Sequence, residues 1–127
     1  MKVFDSPNAK IEYDESKKRL TQTWDGFASS EVFRLAIDAT VSFVKTKPVK
    51  TILSDTLNQK VVKPDDTEYA SKVMPQLFGS GVKAMAFVMP QNVLTQMSLK
   101  GFAKNMGNDG LNFFSTISEA SKWLDGV

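Results

Sequence analysis

Histidine and cysteine are both absent from the 127 residues. Without imidazole or thiolate there is no Ser-His-Asp triad, no cysteine nucleophile, no histidine or cysteine zinc site and no side chain whose ordinary pKa lies near seven. An excess of one charge is missing as well: 16 Lys and Arg stand against 14 Asp and Glu, too even a balance to mark a nucleic-acid surface. Long apolar runs are missing too. The longest, Ala84 to Met89, falls far short of the roughly 20 residues that cross a bilayer. Met1 to Lys10 carries Asp5, Ser6, Pro7 and Asn8 where a signal peptide would hold its apolar core. These absences predict a soluble cytoplasmic protein with no transmembrane segment, no nucleic-acid partner, no metal and no cofactor.

What is present has the balance of an ordinary globular domain, 42% hydrophobic and 24% charged. The length suits a single domain over residues 1–127, which can bury about two-thirds of its unfolded surface. Ala9, Ile11 and Tyr13 alternate with polar residues, and Leu20, Gln22 and Trp24 alternate with Thr21 and Thr23. The charged stretch Asp14 to Lys18 separates the two, which is the pattern of an antiparallel hairpin. Gly26 ends it by supplying backbone freedom. Ser29 or Ser30 then caps a helix in which Phe33, Ala36, Ile37, Thr40, Val41 and Val44 make a buried stripe, and Pro48 stops it. At about 100° per residue, Val32, Leu35, Ala39 and Phe43 form a second apolar strip, so this helix needs cover on two sides.

Thr51 to Asp55 reads as a short buried strand, and Thr56 to Lys63 as a polar loop around Val61 and Val62. Asp65 and Glu68 have the form of a capping box for a helix with Tyr69, Ala70, Val73, Met74, Leu77 and Phe78 on one side. Pro75 is expected to kink or break that helix, and Gly79 and Gly81 to stop it. Ala84 to Met89 is a central strand covered on both faces and closed by Pro90 and Asn92. Val93 to Met106 predicts a weaker helix, because of Ser98 and Gly101, with Leu94, Met97, Phe102 and Met106 on its apolar side. Leu111 to Phe114 is the last strand. Thr116 with Glu119 forms a second capping box, for a helix burying Ile117, Ala120, Trp123 and Leu124. The fold class is α/β: a mixed, mostly parallel sheet of about five strands flanked by four helices, with an N-terminal antiparallel hairpin.

This order of elements resembles the STAS fold of the SpoIIAA-like proteins, the anti-sigma-factor antagonists. Trp24-Asp25-Gly26-Phe27, Pro64-Asp65-Asp66, Pro90-Gln91-Asn92 and Glu119-Ala120-Ser121-Lys122-Trp123-Leu124 resemble a bacterial SpoIIAA-like group labelled STAS/SEC14-type. The resemblance spans nearly the whole chain, and its motifs are structural rather than chemical. The family's device is a phosphorylatable serine in an Asp-Ser-Ser-Gly-like turn at a helix start. This chain departs from it, with Leu53-Ser54-Asp55-Thr56 running into the polar loop. Ser54 and Thr56 stand as phosphosite candidates on one reading and as ordinary strand-end residues on the other.

In parallel sheets ligands favour the crevice beyond the carboxyl ends of the strands. That end gathers the ligand or regulatory candidates Ser54, Asp55, Thr56, Asn58, Gln91, Asn92, Ser115 and Thr116, although turn and capping roles by themselves account for Asp55, Asn92 and Thr116. Gly79-Ser80-Gly81 precedes a strand and so lacks the form of a phosphate loop. Lys45, Lys47 and Lys50, with Lys60 and Lys63 in the later loop, could attract an anion. A helix C-terminus accounts for the first two without one. Capping accounts for Asp65 and Glu68 without a metal. Met74, Met85, Met89, Met97 and Met106 with Phe78, Phe87 and Phe102 suit either a lipophilic pocket or plain core.

Three functional readings follow. The first is a non-enzymatic interaction or regulatory module that binds a protein partner, or a second copy as a homodimer, through Val32, Leu35, Ala39 and Phe43. The second is a SEC14-like carrier or sensor of a small lipophilic, lipid-like or anionic ligand. The third is an enzyme using Asp55 with Lys60 or Lys63 for proton transfer. It has no catalytic motif behind it, so no catalytic residue is assigned.

Overall fold

The computed structural model describes residues 1–59, 63–91 and 110–127. Along the chain run β1 (Lys2–Asp5), β2 (Ala9–Asp14), β3 (Arg19–Gly26), α1 (Ser30–Thr46), β4 (Thr51–Gln59), α2 (Pro64–Gly79), β5 (Ala84–Val88), β6 (Leu111–Phe114) and α3 (Ile117–Asp125). The six strands form one sheet in the order β1-β2-β3-β4-β5-β6. β1, β2 and β3 pair antiparallel, and β3 to β6 pair parallel. The expected mixed α/β sheet is therefore present with one strand more than the pattern predicted. β1 was hidden because its four residues, Lys-Val-Phe-Asp, do not alternate cleanly. Three of the four expected helices are described. The fourth, Val93 to Met106, lies outside the described residues, as do Lys60, Asn92, Met97, Phe102 and Met106.

The hairpin forms as its alternation requires, with Ala9 opposite Trp24, Ile11 opposite Gln22 and Tyr13 opposite Leu20. Those six residues are buried on one face. The Asp14 carboxylate shapes the turn by accepting from the Ser16 amide at 3.0 Å and the Lys17 amide at 3.3 Å. Gly26 has φ +70°, the left-handed conformation that exempts glycine from a Cβ clash. Ser29 caps α1 by accepting from the Val32 amide at 3.2 Å. The buried residues of α1 are the predicted six, Phe33, Ala36, Ile37, Thr40, Val41 and Val44.

Several boundaries differ from the sequence pattern. β4 continues to Gln59, so Thr56 to Gln59 is strand rather than loop. The extension is possible because β3 also continues, with Asp25 opposite Asn58 and Gly26 opposite Gln59 after a register shift past Thr23. Asp65 and Glu68 make no capping box. Lys63 is the N-cap of α2 and Pro64 its first residue, where a missing amide hydrogen costs nothing. Asp65 is thus already inside the helix. α2 is not broken at Pro75 and runs unbroken to Gly79, the proline sitting on an exposed face. The second predicted box holds: Thr116 caps α3, its Oγ1 accepting from the Glu119 amide at 3.2 Å. Ile117 is 45% exposed instead of buried.

α1 and α2 cover one face of the sheet and α3 the other. The first layer packs Phe33, Ile37, Val41, Val73 and Leu77 against Ile11, Leu20, Ile52 and Met85. The second packs Ala120 and Leu124 against Leu53, Ala84, Ala86 and Val88. β5 is thus apolar on both faces, as its unbroken run predicted. Both described edges of the sheet are blunted against further pairing. β1 is short, ends in Lys2 and Asp5 and carries a bulge between Lys2 and Phe4. On β6 the Asn112 side chain accepts from the Phe113 amide at 2.9 Å. No helix among the described residues is long and apolar enough to cross a membrane.

Gly110 sits where an added Cβ would lie 2.6 Å from the Lys83 carbonyl oxygen and 2.8 Å from Phe78 Cε1. Gly110→Ala is expected to destabilise the fold by about 1–3 kcal/mol, as overpacking does. Gly79→Ala, at the open end of α2, is expected to be neutral or mildly stabilising. Urea denaturation of the two variants checks the contrast.

Candidate functional site

The strand-end residues do not converge on one crevice. Ser54 is 1% exposed, and its Oγ accepts from Trp24 Nε1 at 3.2 Å, so it satisfies a buried indole. Thr56 Oγ1 donates to the Val88 carbonyl at 2.7 Å and ties β4 to the end of β5. Asp55 Oδ1 accepts from the Leu57 amide at 3.1 Å. Asn58 is an exposed strand residue opposite Asp25, and Gln91 is exposed just beyond β5. Ser115 is half-buried, and Thr116 is occupied as the cap of α3. Neither Ser54 nor Thr56 stands at a helix start, because the strand outruns both.

Two polar clusters were not visible in the sequence. The first joins α1 to α2. Asp66, 3% exposed, accepts from Ser30 Oγ at 2.8 Å and Arg34 Nε at 3.1 Å. The Arg34 guanidinium lies over the Tyr69 ring, 4.8 Å from its centroid, and the Tyr69 hydroxyl donates to Asp38. The Ser30 hydroxyl, and after it Arg34, hold the Asp66 carboxyl below its usual range against the opposing effect of burial. The hydrogen bond to Asp38 holds the Tyr69 hydroxyl above its own. Ser30 and Arg34 lie one turn apart on α1 and Asp66 lies on α2, so no local pattern in either segment marks the cluster. Only the packing of the helices brings them together.

The second cluster lies on the opposite face, along the flank of α3. Arg19 is buried, its Nε donating to Thr51 Oγ1 at 3.0 Å and its Nη2 to Asp125 Oδ1 at 2.8 Å. Lys17 Nζ stands 3.7 Å from the same carboxylate oxygen. Arg19, and with it Lys17, lowers the Asp125 carboxyl below its usual range. Above this ion cluster opens a groove of about 270 Å³ between β3 and α3, which reaches Thr21, Thr23, Asp55, Ile117 and Ser121. Of the ligand candidates among the described residues, Asp55 is the one that lines it.

The second strip of α1 is partly consumed by the molecule itself. Val32, Ala39 and Phe43 are half-buried against the core, and Phe43 meets the Tyr13 ring edge-on at 4.9 Å. Leu35 remains 50% exposed. Met85 and Met89 are buried, and Met74, Phe78 and Phe87 pack at the margin of the first core layer. No group of three or more acidic side chains among the described residues is arranged to hold a metal ion.

A carboxylate whose folded pKa lies below its unfolded value contributes stability above about pH 4 and loses it as pH falls through the folded value. Asp66→Asn is therefore expected to be less stable than the parent chain at neutral pH, with the gap narrowing below about pH 4. Urea midpoints at neutral and acid pH read this directly. A gap of constant size contradicts the assignment.

No family model matches the sequence, and no curated protein matches it. Solved structures do match in shape. One is an uncharacterized protein from the DUF3478 family with a SpoIIAA-like fold, from Shewanella loihica PV-4. It superposes with a TM-score of 0.60 at 16% sequence identity, covering 95% of this chain and 99% of its own. Among the described residues this chain has a six-stranded mixed sheet with α1 and α2 on one face and α3 on the other. This chain has the SpoIIAA-like fold.

Proposed function

We propose that this chain is a non-enzymatic interaction module that associates with a second copy of itself through the flank of α1. The observation that carries the reading is Leu35, a leucine 50% exposed beside the half-buried Val32, Ala39 and Phe43. Single exposed leucines are common, but this one continues an apolar strip along the helix. Leu35 and Ala39 are one helical turn apart on that strip, a large residue beside a small one. Two such helices packed antiparallel across a two-fold axis set Leu35 of one copy over Ala39 of the second copy, so the surface complements itself. The blunted edges β1 and β6 favour helix-face contact over strand addition.

The polar chemistry is compatible with a binding role. Asp66, Arg34, Arg19 and Asp125 are engaged in structural pairs. Asp55, the carboxylate considered for proton transfer, holds the Leu57 amide.

The parent chain is expected to sediment as a concentration-dependent dimer and Leu35→Glu as a monomer with an unchanged circular dichroism spectrum. A buried leucine contact replaced by a carboxylate weakens association by about tenfold or more. A parent chain that stays monomeric at high concentration, or a Leu35→Glu variant that dimerises as before, overturns the assignment of this surface.

A further inference from the structure

The groove beside α3 holds unused hydrogen-bonding capacity, and it lies on the opposite face of the sheet from α1. Its first wall is the row Arg19, Thr21 and Thr23, alternate residues of β3 that share one face. Its second wall is Ile117 and Ser121, four residues apart on α3. Between them lie Leu53, opposite Thr21 in register, and Asp55, opposite Thr23.

The charged groups here are largely spent on one another. Arg19 and Lys17 share Asp125, and Asp14 holds the Ser16 hydroxyl and two amides of its turn. Two cations face three carboxylates, Asp14, Asp55 and Asp125, so the groove offers nothing extra to an anion. The hydroxyls of Thr21, Thr23 and Ser121, by contrast, have no side-chain hydrogen bond among the described residues. Asp55 uses Oδ1 for the Leu57 amide, and its second oxygen is uncommitted. Leu53 is buried in the floor, and Ile117 stands 45% exposed on the wall, an unusual place for isoleucine on an otherwise amphipathic helix.

Three hydroxyls, one carboxylate oxygen and an aliphatic surface are the complement of a molecule with several hydroxyls on one side and C–H groups on the other. Ligand hydroxyls donate to Asp55 and exchange hydrogen bonds with Thr21, Thr23 and Ser121, while the C–H face rests on Ile117 and Leu53. A volume of about 270 Å³ is at the small end for ligand sites and suits a single ring. We infer that this groove binds a small neutral polyol of monosaccharide size. The inference is independent of the α1 surface, since the groove belongs to β3, β4, α3 and the turn from β2 to β3.

Titration of the ¹⁵N-labelled chain with myo-inositol and with D-glucose tests it by NMR. The expected result is a saturable shift, with either probe, of the amides at Thr21 to Thr23, Leu53 to Asp55 and Ile117 to Ser121. Thr21→Val keeps the branched shape, and Asp55→Asn keeps an acceptor for the Leu57 amide. Each is expected to weaken binding by about tenfold, the effect of losing one hydrogen bond in a site. Ser121→Ala, on the outer wall, provides a variant with the core untouched and the same expected direction. Absence of saturable shifts with both polyols overturns the inference. Affinities unchanged in Thr21→Val, Asp55→Asn and Ser121→Ala overturn it too, as does saturation by glycine or inorganic phosphate in place of the polyols.

Discussion

The two-sided burial of β4 and β5 is the constraint from which the remaining architecture follows. Ile52, Ala86 and Val88 are fully buried, and Leu53 and Met85 nearly so, on strands that alternate between the two faces of the sheet. A parallel strand buried on both faces must be covered on both. α1 and α2 supply one cover. α3 supplies the other, and the small residues Ala84 and Ala86 let its own Ala120 and Leu124 approach closely. At about 25 cal/mol per Å² of apolar surface removed from water, these central side chains dominate what holds the layers together.

Apolar burial brings layers together without specifying their positions, and the buried polar pairs do that. Gln22 Nε2 donates to Thr40 Oγ1 at 2.8 Å and joins the sheet to α1. Trp24 to Ser54 joins β3 to β4, Arg19 to Asp125 joins β3 to α3, and Asp66 joins α2 to α1. No buried side-chain nitrogen or oxygen among the described residues lacks a partner. A misplaced layer would leave several such groups unpaired, each costing about 1–3 kcal/mol. That cost makes the polar pairs selective for one arrangement.

The same layering divides the surface into regions of different chemistry. On the α1 side the half-covered strip is apolar, with Leu35 exposed beside Val32, Ala39 and Phe43. On the α3 side the helix packs on β4 to β6, and Thr21 and Thr23 of β3 line the groove beside it. A fold shared with a protein only 16% identical retains the layers and the topology, while the site chemistry belongs to individual side chains. For that reason the functional readings rest on Leu35 and on Thr21, Asp55 and Ser121, and not on the fold.

The sequence by itself determined which residues of β2, β3, α1 and β5 face inward and where α3 begins. Period-two alternation in β2 and β3, the i, i+3, i+4 stripe of α1, the apolar run of β5 and the Thr116 cap are local patterns. Backbone geometry converts each into one structure over a few residues. It also excluded histidine and cysteine chemistry at the outset. Tertiary structure alone decided the extension of β4 past Asp55, which depends on β3 continuing beside it. The strand β1 is likewise recognisable only against β2. The exposure of Ile117 and the pairing of Arg19 with Asp125, 106 residues apart, have the same origin. A local pattern records which side of an element is apolar. Only packing between distant segments selects the neighbour that covers that side and the polar groups that end up sharing a hydrogen bond.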